Sequence, residues 1–517
     1  MSASAGSRAE KKEKSMKLKK MLSLILAGLM LTGSMVACAK GDDPDDGGAE
    51  SGTQAAGAET EDPAFSLELD PSLSFGNQAV SILSLKNTSF QSEIKADKLG
   101  NGVVSDSIYE RNLSVEELLK IKLNCHESDD VVADMDRDIQ SGLGDYSLIA
   151  NPTYTIIAST VEGKLLDLNT LDNIHLDKSY WTQGFNDMVT FTENEMQFLA
   201  SGSLAVSMYR FTYMTLYNKT LFRDNQLEDL YDTVMSGEWT LDKQYAISKD
   251  HYVDKDGDGK PSTGDFYGFA TGNCVSVDPY MVATETQLIV KDPDSRDLIF
   301  NTEAVARLSD VCDKLQLIYN DASTYAYDGS GADNTTTPNI MKHFTSENAL
   351  MSTSLFVQME MNYEDLAPLS YGIAPMPKFD TNQKDYRSYV QDQVTAFGIS
   401  AVVGDPIKQE MCAATLEAMA YYSHKLVRPA YYDTALSERY MQDPQSKQVL
   451  DLIFDSLLFD FSSTCCNMLS VVTRDSLRGL LTGTSNTIAS TTKGWKKIIT
   501  KDMKDINKKL NYLRSQE

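Results

Sequence analysis

Gln78–Leu85 (QAVSILSL), Ser105–Ile121 (SDSIYERNLSVEELLKI) and Asp145–Ala150 (DYSLIA) together decide the fold class. The first segment is apolar and β-branched enough for a core strand. The second carries Ile108, Leu113, Val115, Leu118 and Leu119 at helical spacing. The third reads as another short buried strand and stops at Asn151-Pro152. Strands alternating with helices in this way predict an α/β layer structure with a largely parallel sheet.

Upstream, Met16–Cys38 (MKLKKMLSLILAGLMLTGSMVAC) has a basic start in Lys17, Lys19 and Lys20 and an apolar run from Met21 to Met30. Small or uncharged residues then lead into Ala37-Cys38. This is the layout of a secretory signal, so residues 1–37 read as a signal peptide. A single transmembrane anchor is the alternative, but Ser23, Gly28, Thr32, Gly33 and Ser34 interrupt a run that is short beside the roughly 20 apolar residues of a span. Residues 1–15 precede a plausible start at Met16 and do not enter the fold reading. Met35-Val36-Ala37-Cys38 resembles the lipobox of bacterial lipoproteins, with Met where Leu is usual. The resemblance implies a diacylglyceryl group on Cys38 and a protein anchored to the cell membrane, facing outside. From Ala39 to Pro63 there are eight acids, one Lys and no aromatic residue. Such a stretch has no core to bury, so 38–64 reads as a lipidated Cys and a disordered acidic linker.

The chain carries a net charge of −27; without residues 1–37 it keeps 40 basic and 72 acidic residues, a net charge of −32. That surface repels phosphate polymers and anionic lipid, which argues against nucleic acid and against membrane binding by charge. With 42% hydrophobic residues, 517 residues suffice for two or three domains. Apart from Cys38 the cysteines are Cys125, Cys274, Cys312, Cys412, Cys465 and Cys466, with no CxxC spacing. Buried free thiols are the expectation, and one disulfide involving the Cys465-Cys466 pair stays open. There is no HExxH and no GxSxG, and His126, His175, His251, His343 and His424 lack ligand spacing. No catalytic residue is assigned, and the protein is not expected to be an enzyme.

The most specific short motif is Asp254–Asp265 (DKDGDGKPSTGD), with Asp254, Asp256 and Asp258 at positions 1, 3 and 5, Gly259 at 6, Lys260 at 7 and Asp265 at 12. That pattern matches an EF-hand loop holding one structural Ca²⁺ through oxygen ligands. Pro261 and the short Asp265 depart from the pattern, and an Asp/Gly-rich surface turn is the alternative.

The order of QAVSILSL, IYERNLSVEELLKIKL, GDYSLIANPTY and EGKLLDLNTL resembles the first lobe of an extracellular solute-binding protein, family 1 type, of an ABC importer. Tyr213–Phe222 (YMTLYNKTLF) is similar to that family's crossing strand, and Ser236–Lys243 (SGEWTLDK) to the helix start after it. His343–Phe356 (HFTSENALMSTSLF) and Tyr371–Lys378 (YGIAPMPK) resemble its second-lobe strand and return strand. The resemblance implies a two-lobed periplasmic-binding-protein-like α/β fold, each lobe a mainly parallel sheet flanked by helices, joined by a hinge of crossing strands. Lobe one would span 66–213 with 375–427, lobe two 218–370 with 428–517, and the hinge Phe211–Asn218 with Tyr371–Lys378.

The cleft between the lobes would be lined by Asn87, Phe90, Asn151, Tyr154, Phe211, Tyr213, Asp278, Tyr280, Ser354 and Phe356. For any one of these, core packing competes with ligand contact. Trp239 is expected to pack at a helix start, while Trp181 is left open. The implied function is capture of a solute, a carbohydrate such as an oligosaccharide, by a monomer that delivers it to ABC permease subunits. A peptide-binding lipoprotein of the same fold, a secreted glycan-active enzyme and an adhesin or sensory ligand-presenter are the alternatives. Gln409–Tyr422 reads as an apolar-faced helix. Trp495–Leu513 reads as a basic amphipathic helix packed on its own domain, with membrane contact as the alternative.

Overall fold

The computed structural model describes residues 65–86, 92–327, 336–471 and 473–515, leaving aside the side chains of 336–338, 438 and 439. Cys38, the signal and spacer segments, Asn87 and Phe90 lie outside the described residues. β1 (Gln78–Leu85) forms where expected and buries Val80, Ile82 and Leu83. α1 (Val103–Leu119) buries Ile108, Val115 and Leu119, then stops at Lys120, whose φ of 50° is left-handed. That turn sends the chain straight into β2 (Ile121–Ser128), which pairs with β1 in parallel. The sequence reading instead carries the helix through Ile121 and has no strand there. No glycine marks the turn, and only Ile121 of β2 is fully buried, so this edge strand carries little apolar signal.

α2 (Val131–Ser141) is capped by the Asp130 carboxylate, which accepts from Ala133 N at 3.1 Å. It leads to β3 (Leu148–Pro152), parallel to β1. The second sheet is built from β4 (Tyr213–Asn218), β5 (Tyr267–Gly272), β8 (Thr324–Tyr327), β9 (Ala349–Leu355) and β10 (Tyr371–Ala374), in the order β8-β5-β9-β4-β10. A short hairpin, β6 (Ile289–Lys291) and β7 (Leu298–Phe300), and α3 (Ala304–Tyr319) lie between β5 and β8. α4 (Phe356–Met361) follows β9 directly. Gly372 in β10 must be glycine, because a Cβ there would stand 2.4 Å from the Tyr217 ring of β4. The chain then completes the first sheet with β11 (Thr395–Ile399), giving the order β11-β3-β1-β2.

Each sheet is parallel apart from one reversed strand. In the first it is β11, antiparallel to β3; in the second it is β4, antiparallel to both β9 and β10. Each reversed strand is the one the chain enters after crossing between the sheets, so the crossing sets the exception.

Two hydrophobic cores follow from the two sheets. The first gathers Val80, Ile82, Ile149, Phe185 and Phe397, and the second Leu216, Phe269, Leu308, Met351 and Ile373. The β6–β7 hairpin leaves the second sheet and adds Ile289 and Leu298 to the first core. α5 (Pro406–Tyr422) is buried on all sides from Met411 to Tyr421 and is not merely apolar on one face. Its Glu417 accepts hydrogen bonds from Trp181 Nε1 (3.0 Å), His175 N (3.1 Å) and the Tyr180 hydroxyl, which puts Trp181 in the core. Trp239 donates through Nε1 to Pro375 O at 2.8 Å beside Thr240, which caps the helix Leu241–Ser248.

Beyond α5 lie α6 (Pro444–Asp455), α7 (Thr473–Leu481) and α8 (Ile488–Arg514), the last longer than the sequence suggests. Ile499, Met503, Ile506 and Leu510 seat α8 in the first core, whereas Ile488 belongs to the second. At about 1.5–3 kcal/mol per buried apolar side chain, these contacts outweigh the few tenths per pair that its neighbouring lysines cost. All six described cysteines are free thiols, five of them buried. Among the described residues no helix is long and apolar enough to cross a membrane.

Candidate functional site

Three stretches run side by side between the sheets. Gln391 N donates to Phe211 O (2.8 Å) and Tyr213 N to Tyr389 O (3.0 Å), while Ser388 N donates to Ser456 O and Leu458 N to Ser388 O, both at 2.9 Å. The crossing therefore consists of 211–213, 388–391 and 456–458. The sequence expectation pairs 211–218 with 371–378 as the hinge, but Tyr371–Ala374 pairs with Thr215–Asn218 inside the second sheet. The ladder between β4 and β10 is real; it belongs to a sheet and not to the crossing.

In open α/β sheets, ligands bind beyond the carboxyl ends of the strands. Here β1 ends at Leu85, β3 at Pro152 and β5 at Gly272, and all three ends face the crossing segments. Its floor is a polar network. Arg478 Nε and Nη2 donate to Asp278 Oδ1 (2.7 Å) and Oδ2 (2.6 Å), and Arg474 Nη1 donates to Asp392 Oδ2. The two arginines stand four residues apart on α7 and so share one face. One reaches a carboxylate beside β5 and the other a carboxylate on the return segment.

Burial pushes the Asp392 carboxyl up to about 6 against the pull of Arg474. Burial also raises Asp278, against the hydrogen bonds from Arg478. The Tyr213 and Tyr389 rings stack in parallel, 5.9 Å apart and 5° from coplanar. Tyr213 Oη donates to Val275 O (3.0 Å) and is offered Gln391 Nε2 at 3.3 Å. The Tyr389 hydroxyl is buried in this network with no hydrogen-bond partner among the described residues.

Beside the floor, a pocket is lined by Leu85, Glu93, Pro152, Ser207, Phe211 and Thr395, among others. Glu93 is held there by Ser207 N (2.8 Å), Ser207 Oγ (3.2 Å) and the Thr395 hydroxyl, all donating to its carboxylate. A fixed carboxylate beside a half-buried phenylalanine ring suits a ligand with hydroxyls on one side and C–H surface on the other.

The residues expected to line the cleft separate into groups. Phe211 lines the pocket; Tyr213 and Asp278 lie in the buried network behind it, Tyr213 as part of the second core, and Tyr154 joins that network's edge through its N–H to Asp392 O (3.2 Å) and its carbonyl to Asn467 Nδ2 (2.9 Å). Asn151 is buried in β3 and donates to Thr155 Oγ1 at 2.6 Å. Ser354 is buried in β9, and Tyr280 and Phe356 turn into the second core. Tyr280 there meets Gln244, and Phe356 lies against Phe454 with centroids 5.2 Å apart. Sequence reasoning misses Glu93, Tyr389, Asp392, Arg474 and Arg478. The available signal is Arg474 and Arg478 at i, i+4 on a helix whose Leu477 and Leu481 are also buried, since arginine beside a buried stripe asks for an acid.

The Asp254–Asp265 loop lies at the other end of β5. Val253 and Phe266 bridge at its neck, and Gly257 and Gly259 take φ of 75° and 74°. Asp254 accepts from Gly259 N (2.8 Å) and Gly257 N (2.6 Å), which holds it below the usual carboxylate range. Asp265 accepts from Lys255 N (2.9 Å) and Ser262 N (2.8 Å), with the same effect. Carboxylate oxygens of Asp254, Asp256 and Asp265 lie within 4.8 Å of one another, a donor set that fits a hard cation. Asp258 turns its carboxylate to Lys260 N (2.7 Å), and Lys255 Nζ points away to Asn348.

No protein-family model matches the chain, and no curated protein does. Among solved structures, a cyclo/maltodextrin-binding protein complexed with maltotetraose is 13% identical, with 82% of this chain and 96% of that one covered and a TM-score of 0.51. The galacto-N-biose-/lacto-N-biose I-binding protein of the ABC transporter from Bifidobacterium longum, in complex with lacto-N-biose, is 11% identical over 85% of this chain and 98% of that one, at 0.49. The maltose-binding periplasmic protein MalE from Listeria monocytogenes, in complex with maltose, is 14% identical over 84% and 98%, at 0.46. At such identities the likeness speaks for fold, and the fold is the two-lobed, periplasmic-binding-protein-like α/β architecture.

Proposed function

We propose that this protein captures a carbohydrate for ABC-type import, its two lobes closing around the solute at the crossing segments. The carrying observation is the pocket beside the crossing segments, where the Glu93 carboxylate, fixed by Ser207 and Thr395, stands by the half-buried Phe211 ring near the ends of β1 and β3. Aromatic faces and fixed polar groups are what a polyol needs in water. The solved structures of similar fold named above have sugar ligands, which favours the same class here. Ligand binding supplies the differential free energy that shifts open to closed, and no covalent step is required.

In the same reading Cys38 carries the lipid anchor, residues 39–63 act as a leash, the permease subunits receive the solute, and the Asp254–Asp265 loop holds a structural Ca²⁺ remote from the cleft. The test is a thermal-shift screen of oligosaccharides and peptides, followed by calorimetric titration of any hit against Phe211→Ala and Glu93→Gln. A sugar that raises the melting temperature, binds more weakly to both variants and comes back intact supports the proposal. Peptide binding alone, or turnover of the sugar, overturns it.

A further inference from the structure

α8 carries eight basic side chains against two aspartates in a chain whose net charge is −27. Its basic residues are not scattered. Lys493, Lys497, Lys501, Lys504 and Lys508 follow at intervals of four, four, three and four, so at 100° per residue they occupy roughly 80° of arc. The stripe stands opposite Ile499, Met503, Ile506 and Leu510, which seat the helix in the first core. All five lysines are exposed, and no ion pair with an acid is formed by any of them among the described residues. Tyr512, 64% exposed, and Ile498, 43% exposed, lie along the same edge about 20 Å apart.

We infer that this face of α8 docks on anionic lipid headgroups and sets how the protein lies on a membrane. A surface this acidic would otherwise answer its surplus of lysine with local pairs. Instead the positive charge is gathered in one row along a helix about 40 Å long, which complements a plane of phosphate charge. The flanking tyrosine and isoleucine suit the headgroup level. Overall charge argues against peripheral binding, and Asp505 on the same edge and Asp297 in a groove with Lys504 and Lys508 oppose it locally, so the contact is orienting and salt-sensitive. The choice of a membrane as the surface rests on the reading that the protein is tethered there. The contact itself requires no acyl chain.

The experiment uses Glu61–Glu517, which holds both cores and lacks Cys38 and the basic, apolar leader. Vesicles of phosphatidylcholine with and without phosphatidylglycerol are sedimented with wild type and with the variant K497E/K501E/K504E/K508E, at low and high salt. The expected result is capture by the anionic vesicles alone, release by salt, and at least about tenfold weaker capture of the variant. The four positions are exposed, so an unchanged melting temperature verifies that the variant folds. Equal binding by the variant, equal binding to neutral vesicles, or no capture of wild type overturns the inference. So does capture through these lysines only when neutral vesicles carry an integral protein, which assigns the stripe to a protein partner. Sugar binding is measured on the same samples, so failure of the capture reading is seen separately.

Discussion

Replacing Arg478 by Met strands the Asp278 carboxylate in the cleft floor. Asp278 is 1% exposed and takes two charge-assisted hydrogen bonds from Arg478, at 2.7 and 2.6 Å. Removing one partner of a buried, bidentate pair costs about 3–5 kcal/mol, chiefly the desolvation of the charge left behind. With an unfolding entropy near 2.1 cal/mol/K per residue, a body of about 450 residues loses roughly 1 kcal/mol per degree, so the melting temperature should fall by about 3–5 °C. Removing both charges as Asp278→Leu/Arg478→Met leaves no orphan, and the double variant should recover most of the loss. Calorimetry on wild type, Arg478→Met, Asp278→Leu and the double variant checks this. If the single penalties simply add, or if Arg478→Met melts within a degree of wild type, the pair does not hold the floor.

Asp392 gives a pH signature. Its carboxyl sits near 6 when folded against an ordinary value of 3.8, so between those values the folded state holds a proton that the unfolded chain lacks. Its contribution to stability is present at low pH and lost as pH rises through 6. Going from pH 7 to 5 should stabilise the protein by about 1 kcal/mol through this group, and Asp392→Asn should abolish that increment in parallel melts. Adding Ca²⁺ at about a hundred times its dissociation constant should stabilise by about 2.7 kcal/mol, EDTA should reverse it, and Asp256→Asn should erase the response. No calcium shift in wild type counts against the loop as a metal site. Gly372→Ala drives a methyl into the Tyr217 ring at 2.4 Å and should cost about 1–3 kcal/mol in urea unfolding, relieved by adding Tyr217→Ala.

Of the central strands, β1 was legible because burial writes itself as an apolar, β-branched run at Gln78–Leu85, whereas β9 within ALMSTSL was reached through the family resemblance. β2 was not legible, because an edge strand with one buried residue after a left-handed lysine looks like the tail of its helix. The same limit applies to the cleft. Tyr213 and Phe211 lie where a strand leaves one lobe for the other, a place the resemblance could supply. Only Phe211 reaches the pocket; Tyr213, Tyr280 and Phe356 have the same residue types at strand ends but pack in the second core, and orientation is a property of packing that composition does not encode. Arg474 and Arg478 pair with Asp392 and Asp278, 82 and 200 residues away in sequence, so the pairing became visible only once the chain was folded.

The reach of α8 has a consequence for how the cleft works. Ile488 is rooted in one core, Ile499 to Leu510 in the other, and Trp495 rests against both. A continuous helix of 27 residues is a stiff rod, so the lobes cannot swing freely about three strands as a door on its pins. In the proposed closure, opening would lift one end of the rod from its bed or bend it beside Trp495, at Gly494, the residue of the helix most permissive of a bend. On the proposed function, the unliganded protein would therefore have a preferred aperture, set by the packing of this helix across both cores. Work spent in moving the lobes away from that aperture would, on the same proposal, be subtracted from the affinity measured for a ligand, at a helix that does not line the pocket around Glu93 and Phe211.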